Sequence, residues 1–253
     1  MQWPDLTAAI QNWLEEGGVG AATTADFTAA VPIIVNNAEL RIYRDCDFLA
    51  TRGQNSTVAV VPGYRTFQLS ALTGQQIDGT TVAYPQPVIV EGIALVTPAG
   101  LSPPSGTMVP FIPASLDFID FIWPMENFMA SPALGSSYYA MLNDQTVVLA
   151  PTPDAAYQVV VTGLWRPAPM SSANPTTWLG TYASDLLFAA CMIEGHGWIQ
   201  NFGAQAENPQ ASLSWQQTYQ QHWLGVVNEE RRRKGLSLMP PDAMPPSMSD
   251  QRR

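Results

Sequence analysis

Charge is what this sequence has least of. Asp, Glu, Lys and Arg make up 13% of its 253 residues, against roughly 25% in an ordinary domain. Positive charge is scarcer still: residues 1–230 carry five basic side chains against 19 acidic ones. So acidic a body excludes a protein that clamps nucleic-acid phosphates, which takes clustered Lys and Arg. It suits a surface that DNA passes without sticking. Cysteine is limited to Cys46 and Cys191. Two isolated thiols offer no disulfide framework and no CxxC metal pair, and both are expected to be buried and free. Long apolar runs are missing too. The longest, Leu186–Ile193, is too short to cross a bilayer, so no membrane partner is expected. The opening MQWPDLTAAI shows neither a basic region nor a long apolar stretch. On that ground no secretory leader is expected, and the protein is expected to be soluble and made in the cytoplasm.

What is present is an ordinary apolar share, 46%, and 22 prolines, about twice the usual proportion. So many apolar residues with so little charge exclude an intrinsically disordered chain. The length suits one large domain or two small ones, with enough buried surface to need neither disulfide nor metal. An exterior so poor in charge implies that much of it meets other subunits. The last stretch reverses the sign: residues 231–253 hold Arg231, Arg232, Arg233, Lys234, Arg252 and Arg253 against two acids, a basic end that fits an acidic partner.

The apolar spacing places helices at both ends and strands between. Leu6, Ile10, Trp13 and Leu14 share a helical face over Asp5–Glu16, which Gly17, Gly18 and Gly20 should stop. Thr23 and Asp26 have capping-box spacing ahead of a stripe, Phe27 to Tyr43, that Pro32 should kink or split. Thr57–Val61, Arg65–Leu69, Val88–Thr97, Thr107–Ile112, Ser137–Leu142, Thr146–Ala150 and Ala156–Arg166 read as strands. Asn143-Asp144 reads as a hairpin turn and Ser115–Trp123 as a short helix. Helices over Thr177–Gln200 and Pro209–Lys234 close the pattern, the second ended by Gly235. The expected fold is α+β: a helical bundle formed by the N- and C-terminal helices, with a central β-rich, barrel- or sandwich-like domain. The expected divisions are N-terminal helices 1–53, a β-rich domain 54–170, a helical hairpin 171–235 packing on 1–53, and an extended tail 236–253 whose prolines come in two pairs.

Catalytic constellations are weak. No HExxH, no GxSxG and no His/Cys cluster occurs. His196 and His222 read as helix residues. Asp117 and Asp120 share a helical face and could form an acid/base pair, but they read better as the solvated side of a helix that buries its apolar neighbours. Gly18-Val19-Gly20 reads as a loop, and Asn55-Ser56-Thr57 as a chance match to a glycosylation site. Trp215, Tyr219 and Trp223 form a stripe whose neighbours are Gln rather than cations, which favours packing or a subunit interface over base stacking. No catalytic, cofactor-binding or metal-binding residue is assigned, and no cofactor is expected.

Three stretches, taken together, resemble the head-to-tail adaptor proteins of short-tailed phages, the family that includes tail tubular protein A. They are FTAAVPIIVNNAELRIYR at 27–44, VVLAPTPDAAYQVVVTGLWRPAPMSS at 147–172, and TTWLGTYASDLLFAACMIEGHGWIQN at 176–201 with the WxxxY helix that follows. Residues 54–108 depart most from the family pattern. The resemblance implies a structural, non-enzymatic virion protein of the neck, a dodecameric ring between portal and tail nozzle or tail-tube protein, through which double-stranded DNA passes during packaging and ejection. It also implies portal docking through the C-terminal segment, with Trp215, Tyr219, Trp223, Arg231, Arg232, Arg233 and Lys234 as the docking residues. The alternatives are another minor virion or tail protein, or a tail-borne cell-wall hydrolase using Asp117 and Asp120.

Overall fold

A computed structural model describes residues 1–16, 25–72, 87–198 and 209–235. The glycine stop after residue 16, the Thr23 cap, the Gly18-Val19-Gly20 loop, the turns expected between 73 and 86, and the proline-paired tail lie outside these residues. The chain forms two compact units. One joins Met1–Leu49 to the chain from Pro169 onward, and the other is Ala50–Ala168. The fold is α+β, with terminal helices and a central curled sheet.

The helical unit holds α1 (Trp3–Glu16), α2 (Ala25–Asp45), α4 (Trp178–Tyr182), α5 (Ser184–Trp198) and α6 (Pro209–Arg233). Leu6, Ile10 and Leu14 of α1 and Val31, Ile34, Val35, Ala38 and Ile42 of α2 are buried at helical spacing, as their pattern predicts. Pro32 does not split α2. It cannot donate to the Thr28 carbonyl, but it stands on the exposed side of the helix, between the buried Val31 and Ile34, where water can serve the local backbone. The helix expected over Thr177–Gln200 is two helices. Thr177 caps α4, its hydroxyl accepting from Gly180 N at 3.2 Å; Ala183 leaves helical geometry, and α5 restarts at Ser184. α5 is the central helix, packed by α1, α2, α4 and α6. Leu186, Leu187, Ala189, Ala190, Cys191 and Met192 bury it nearly all round. Its small residues permit close approach: a Cβ at Gly195 would already stand 3.2 Å from Leu14 Cδ1. No described helix is long and apolar enough to cross a membrane.

The β unit holds β1 (Arg52–Asn55), β2 (Thr66–Gln68), β3 (Ile89–Thr97), β4 (Thr107–Pro113), α3 (Leu116–Ile122), β5 (Met129–Ala130), β6 (Tyr138–Met141), β7 (Thr146–Ala150), β8 (Thr152–Pro153) and β9 (Gln158–Leu164). Seven strands pair in the order β1-β9-β3-β4-β6-β7-β2, antiparallel except β4 with β6; β5 and β8 form a separate parallel pair. The sheet is a half-barrel, and one segment joins its two edges. β1 runs along β9, Ala59 bridges Gln158, and by Thr66 the same chain pairs with Val148 of β7. The strand expected at Thr57–Val61 is therefore only a bridge. Asn55 interrupts it: its buried Oδ1 accepts from both Thr57 N (3.0 Å) and Thr57 Oγ1 (2.8 Å), an Asx turn that bends the chain off the ladder. That buried amide is also no glycosylation acceptor. Asn143 makes the second Asx turn, its Oδ1 accepting from Gln145 N and Thr146 N and closing the β6–β7 hairpin.

One face of the curl carries the core, with Phe67, Ile93, Leu95, Phe111, Tyr139, Val147, Leu149, Val159, Val161 and Trp165 packed together. On the other face α3 covers part of β6 and β7, pressing Ile119 against Ala140, Val148 and Ala150. β7 is consequently buried on both sides along its whole length, which explains why its sequence, TVVLA, does not alternate.

Candidate docking surface

The residues named for docking lie on α6, and the helix sorts them by face. Tyr219, Trp223, Glu230 and Lys234 fall on one stripe at spacings of four and seven, and that stripe grips the end of α2 and the chain leaving it. Tyr219 Oη donates to Asp45 Oδ2 at 2.6 Å and Trp223 Nε1 to the Asp45 carbonyl at 3.2 Å. Buried Glu230 accepts from Leu49 N at 3.1 Å, and Lys234 Nζ donates to the Asp47 carbonyl and carboxylate at 2.6 and 2.7 Å. Burial and the Asp45 carboxylate push the Tyr219 hydroxyl well above the usual phenol range. Burial, with Asp45 beside it, raises the neighbouring Cys46 thiol to about 11, so it is an inert packing residue.

Two further side chains of the docking set also contact their own unit, Arg233 while remaining exposed. Trp215 packs edge-on against Trp13 and Phe188, with ring centroids 5.5 and 5.7 Å apart. Arg233 is bound by Glu229 and by Glu230, the latter at 3.2 Å, and its guanidinium lies over Trp178 and Tyr182 at 5.4 and 5.7 Å. Such pairing and stacking fix an arginine in place. Arg231 and Arg232 differ: both are exposed, without hydrogen bond or ion pair among the described residues. Arg231 ends an outward stripe of Leu213, Gln217, Gln220, Leu224 and Asn228, all exposed. Of the seven residues named from the sequence, two thus point outward and five hold α6 onto its own unit.

Besides Glu230, the helical unit buries the carboxylate of Glu39, which lies in the 27–44 stretch that carries the resemblance. Glu39, 2% exposed, accepts from Met170 N at 3.0 Å and from the Thr177 hydroxyl at 3.4 Å. It thereby ties α2 to the chain arriving at α4. Burial lifts its pKa from 4.5 to about 7, and those two hydrogen bonds hold it from going higher. Next to it on the same helix Arg41 joins Glu194 at 3.1 Å and lies over the Tyr219 ring at 5.3 Å. Ala38-Glu39-Leu40-Arg41, within the 27–44 stretch that carries the resemblance, is therefore a structural node. Glu in an apolar stripe was the available signal for it.

The catalytic candidates have structural occupations. Asp120 Oδ1 holds Arg65 Nη2 at 2.8 Å, in the β unit, with Glu126 3.5 Å from the same guanidinium; Asp117 stands in the first turn of α3. His222 Nδ1 meets Asp185 Oδ2 at 3.0 Å, tying α6 to α5. His196 is buried, and burial lowers its pKa. No group of three or more His, Cys, Asp or Glu among the described residues is placed to hold a metal ion.

A family model described as SU10 adaptor protein matches residues 1–243, almost the whole chain. No curated protein matches it.

Proposed function

The chain belongs to the SU10 adaptor protein family of phage adaptors, and on that premise we propose that it is the head-to-tail adaptor of a phage virion, of the tail tubular protein A type of short-tailed phages. In this reading twelve copies form a closed ring in the neck between the portal and a tail nozzle or tail-tube protein, and double-stranded DNA passes through it during packaging and ejection. The chain performs no chemistry. It positions a partner on each side and presents an acidic bore to a polyanion, which keeps DNA from adhering.

The observation that carries this reading is the family match over residues 1–243. The division of α6 supports it. Tyr219, Trp223, Arg233, Lys234 and Trp215 brace the helix from within, which leaves Arg231 and Arg232 outward at its end. Two guanidinium groups without an ion pair among the described residues, at the brink of the C-terminal segment, suit an acidic portal surface. Electron microscopy of the purified chain mixed with its portal tests the reading. Rings of the chain on the portal are expected, and the absence of any complex would overturn it. For the competing hydrolase reading, replacing Asp117 and Asp120 by Asn is expected to leave plaque formation intact.

A further inference from the structure

Glu39 holds another stretch of the chain at both of its ends. Its Oε2 accepts from Met170 N at 3.0 Å and its Oε1 from the Thr177 hydroxyl at 3.4 Å, so one carboxylate of α2 closes the span 170–177. Between those points the chain bonds to itself. Ser171 N donates to the Asn174 carbonyl at 3.0 Å and Asn174 N to the Ser171 carbonyl at 3.1 Å, while Ser172, Ala173, Pro175 and Thr176 face solvent. Thr177 passes the hold on to α4, because the hydroxyl that donates to Glu39 also accepts from Gly180 N. α4 has five residues, too few to stay helical without such support. Its Trp178 and Tyr182 lie beneath the Arg233 guanidinium, so α4 in turn carries the end of α6.

No cation among the described residues accompanies this carboxylate. Arg41, two places along α2, is taken by Glu194 of α5 at 3.1 Å. α5 otherwise brings the buried Cys191 thiol, which burial, Glu39 and Glu194 push up. α6 brings Tyr219, whose hydroxyl is held by Asp45, and Asp5 of α1 is exposed. α4 brings Tyr182, turned to Arg233, and its Gly180 carbonyl accepts from the Met1 amine. Burial and the two hydrogen bonds alone set the Glu39 proton. Once ionised at this place, a carboxylate has lost its water and gained no opposite charge, which a protein core tolerates poorly. It keeps its proton or it recovers water. The part that opens to water at least cost is the span 170–177, whose middle residues already face solvent, rather than α5, which is buried nearly all round.

We propose that Glu39 is a proton-operated clasp: with its proton it holds the span 170–177 and α4 against α2, and on losing it to water it lets both open while α5 stays packed. The closed form keeps a proton that the open form releases, so opening becomes easier as pH rises from the ordinary carboxyl range and levels off above neutrality. Amide hydrogen exchange of the full chain, read by NMR from about pH 5 to pH 7.5 with and without dilute urea, tests this. After correction for intrinsic rates, protection of the Met170 and Gly180 amides is expected to fall about tenfold or more over that range and to respond little to urea. The Leu187 and Cys191 amides of α5 are expected to stay far better protected, at a level that urea lowers. Glu39→Gln, which keeps an acceptor for Met170, is expected to hold Met170 and Gly180 at their low-pH protection throughout. Met170 and Gly180 exchanging only with the α5 core, at the same urea-sensitive level, would overturn the clasp on the wild type alone. An unchanged pH slope in Glu39→Gln would overturn it as well, by placing the proton on another group.

Discussion

At Glu39 a single carboxyl sets a pH dependence for the whole helical unit. The folded chain holds that proton up to about pH 7, whereas an unfolded one releases it near 4.5. Between those values the folded state binds more protons, so this group's contribution falls as pH rises through the window and levels off above it. Glu39→Gln keeps an acceptor for Met170 and removes the charge. It is expected to match the wild type near pH 4.5 and to exceed it by on the order of 3 kcal/mol above neutrality, read from urea midpoints. An equal pH slope in both proteins would contradict this. Tyr219→Phe removes one hydrogen bond to the Asp45 carboxylate. A loss of about 1.5–3 kcal/mol is expected, the range for bonds to charged groups, with the helical content unchanged by circular dichroism.

Among the elements, β9 is the most constrained. A Cβ on Gly163 would lie 2.2 Å from the Ile89 carbonyl oxygen, and backbone cannot yield as a side chain can. Gly163→Ala is therefore expected to cost about 2–4 kcal/mol, while Gly92→Ala, with nothing within 4 Å of its added Cβ beside the bulge in β3, stays within about 0.5 kcal/mol. Thermal melts of the two variants separate these outcomes. β9 was also the strand most legible in the sequence, because AYQVVVTGLWR is β-branched or aromatic through most of its length and such residues suit a buried sheet. Elements whose form depends on distant partners were less legible. Thr57–Val61 has strand composition, but the Asn55 turn beneath it leaves one bridging residue. The break at Ala183 lies inside an unbroken apolar periodicity; its trace was Ser184-Asp185, a helix-start pair in mid-run, where Asp185 Oδ1 accepts from Leu186 N. The inner and outer faces of α6 were half-legible for a related reason. Helical spacing shows which residues of α6 share a face, and only the neighbouring helices decide that Trp215, Tyr219 and Trp223 face inward.

For the assembled molecule, Arg231→Glu with Arg232→Glu is the informative change. Both residues are exposed, so the melting temperature should hold while portal binding in pull-downs falls about tenfold or more. Deleting the chain from Arg231 would be harder to interpret, because it also removes Arg233 from Glu230 and Lys234 from Asp47. Copy number in purified virions, by quantitative mass spectrometry, is expected to be roughly a dozen, since a closed ring takes equal subunits.

The helical unit is assembled from both ends of the chain, with Ala50–Ala168 lying between its halves. A ribosome therefore releases every strand of the curl before it makes α5. The β unit can close while translation continues, but the apolar faces of α1 and α2 have no central helix to cover them until the last third of the chain emerges. Nascent chains should accordingly be most prone to aggregate or recruit chaperones in that interval, and the finished protein should mature late, once Leu186 to Met192 slot between helices made far earlier.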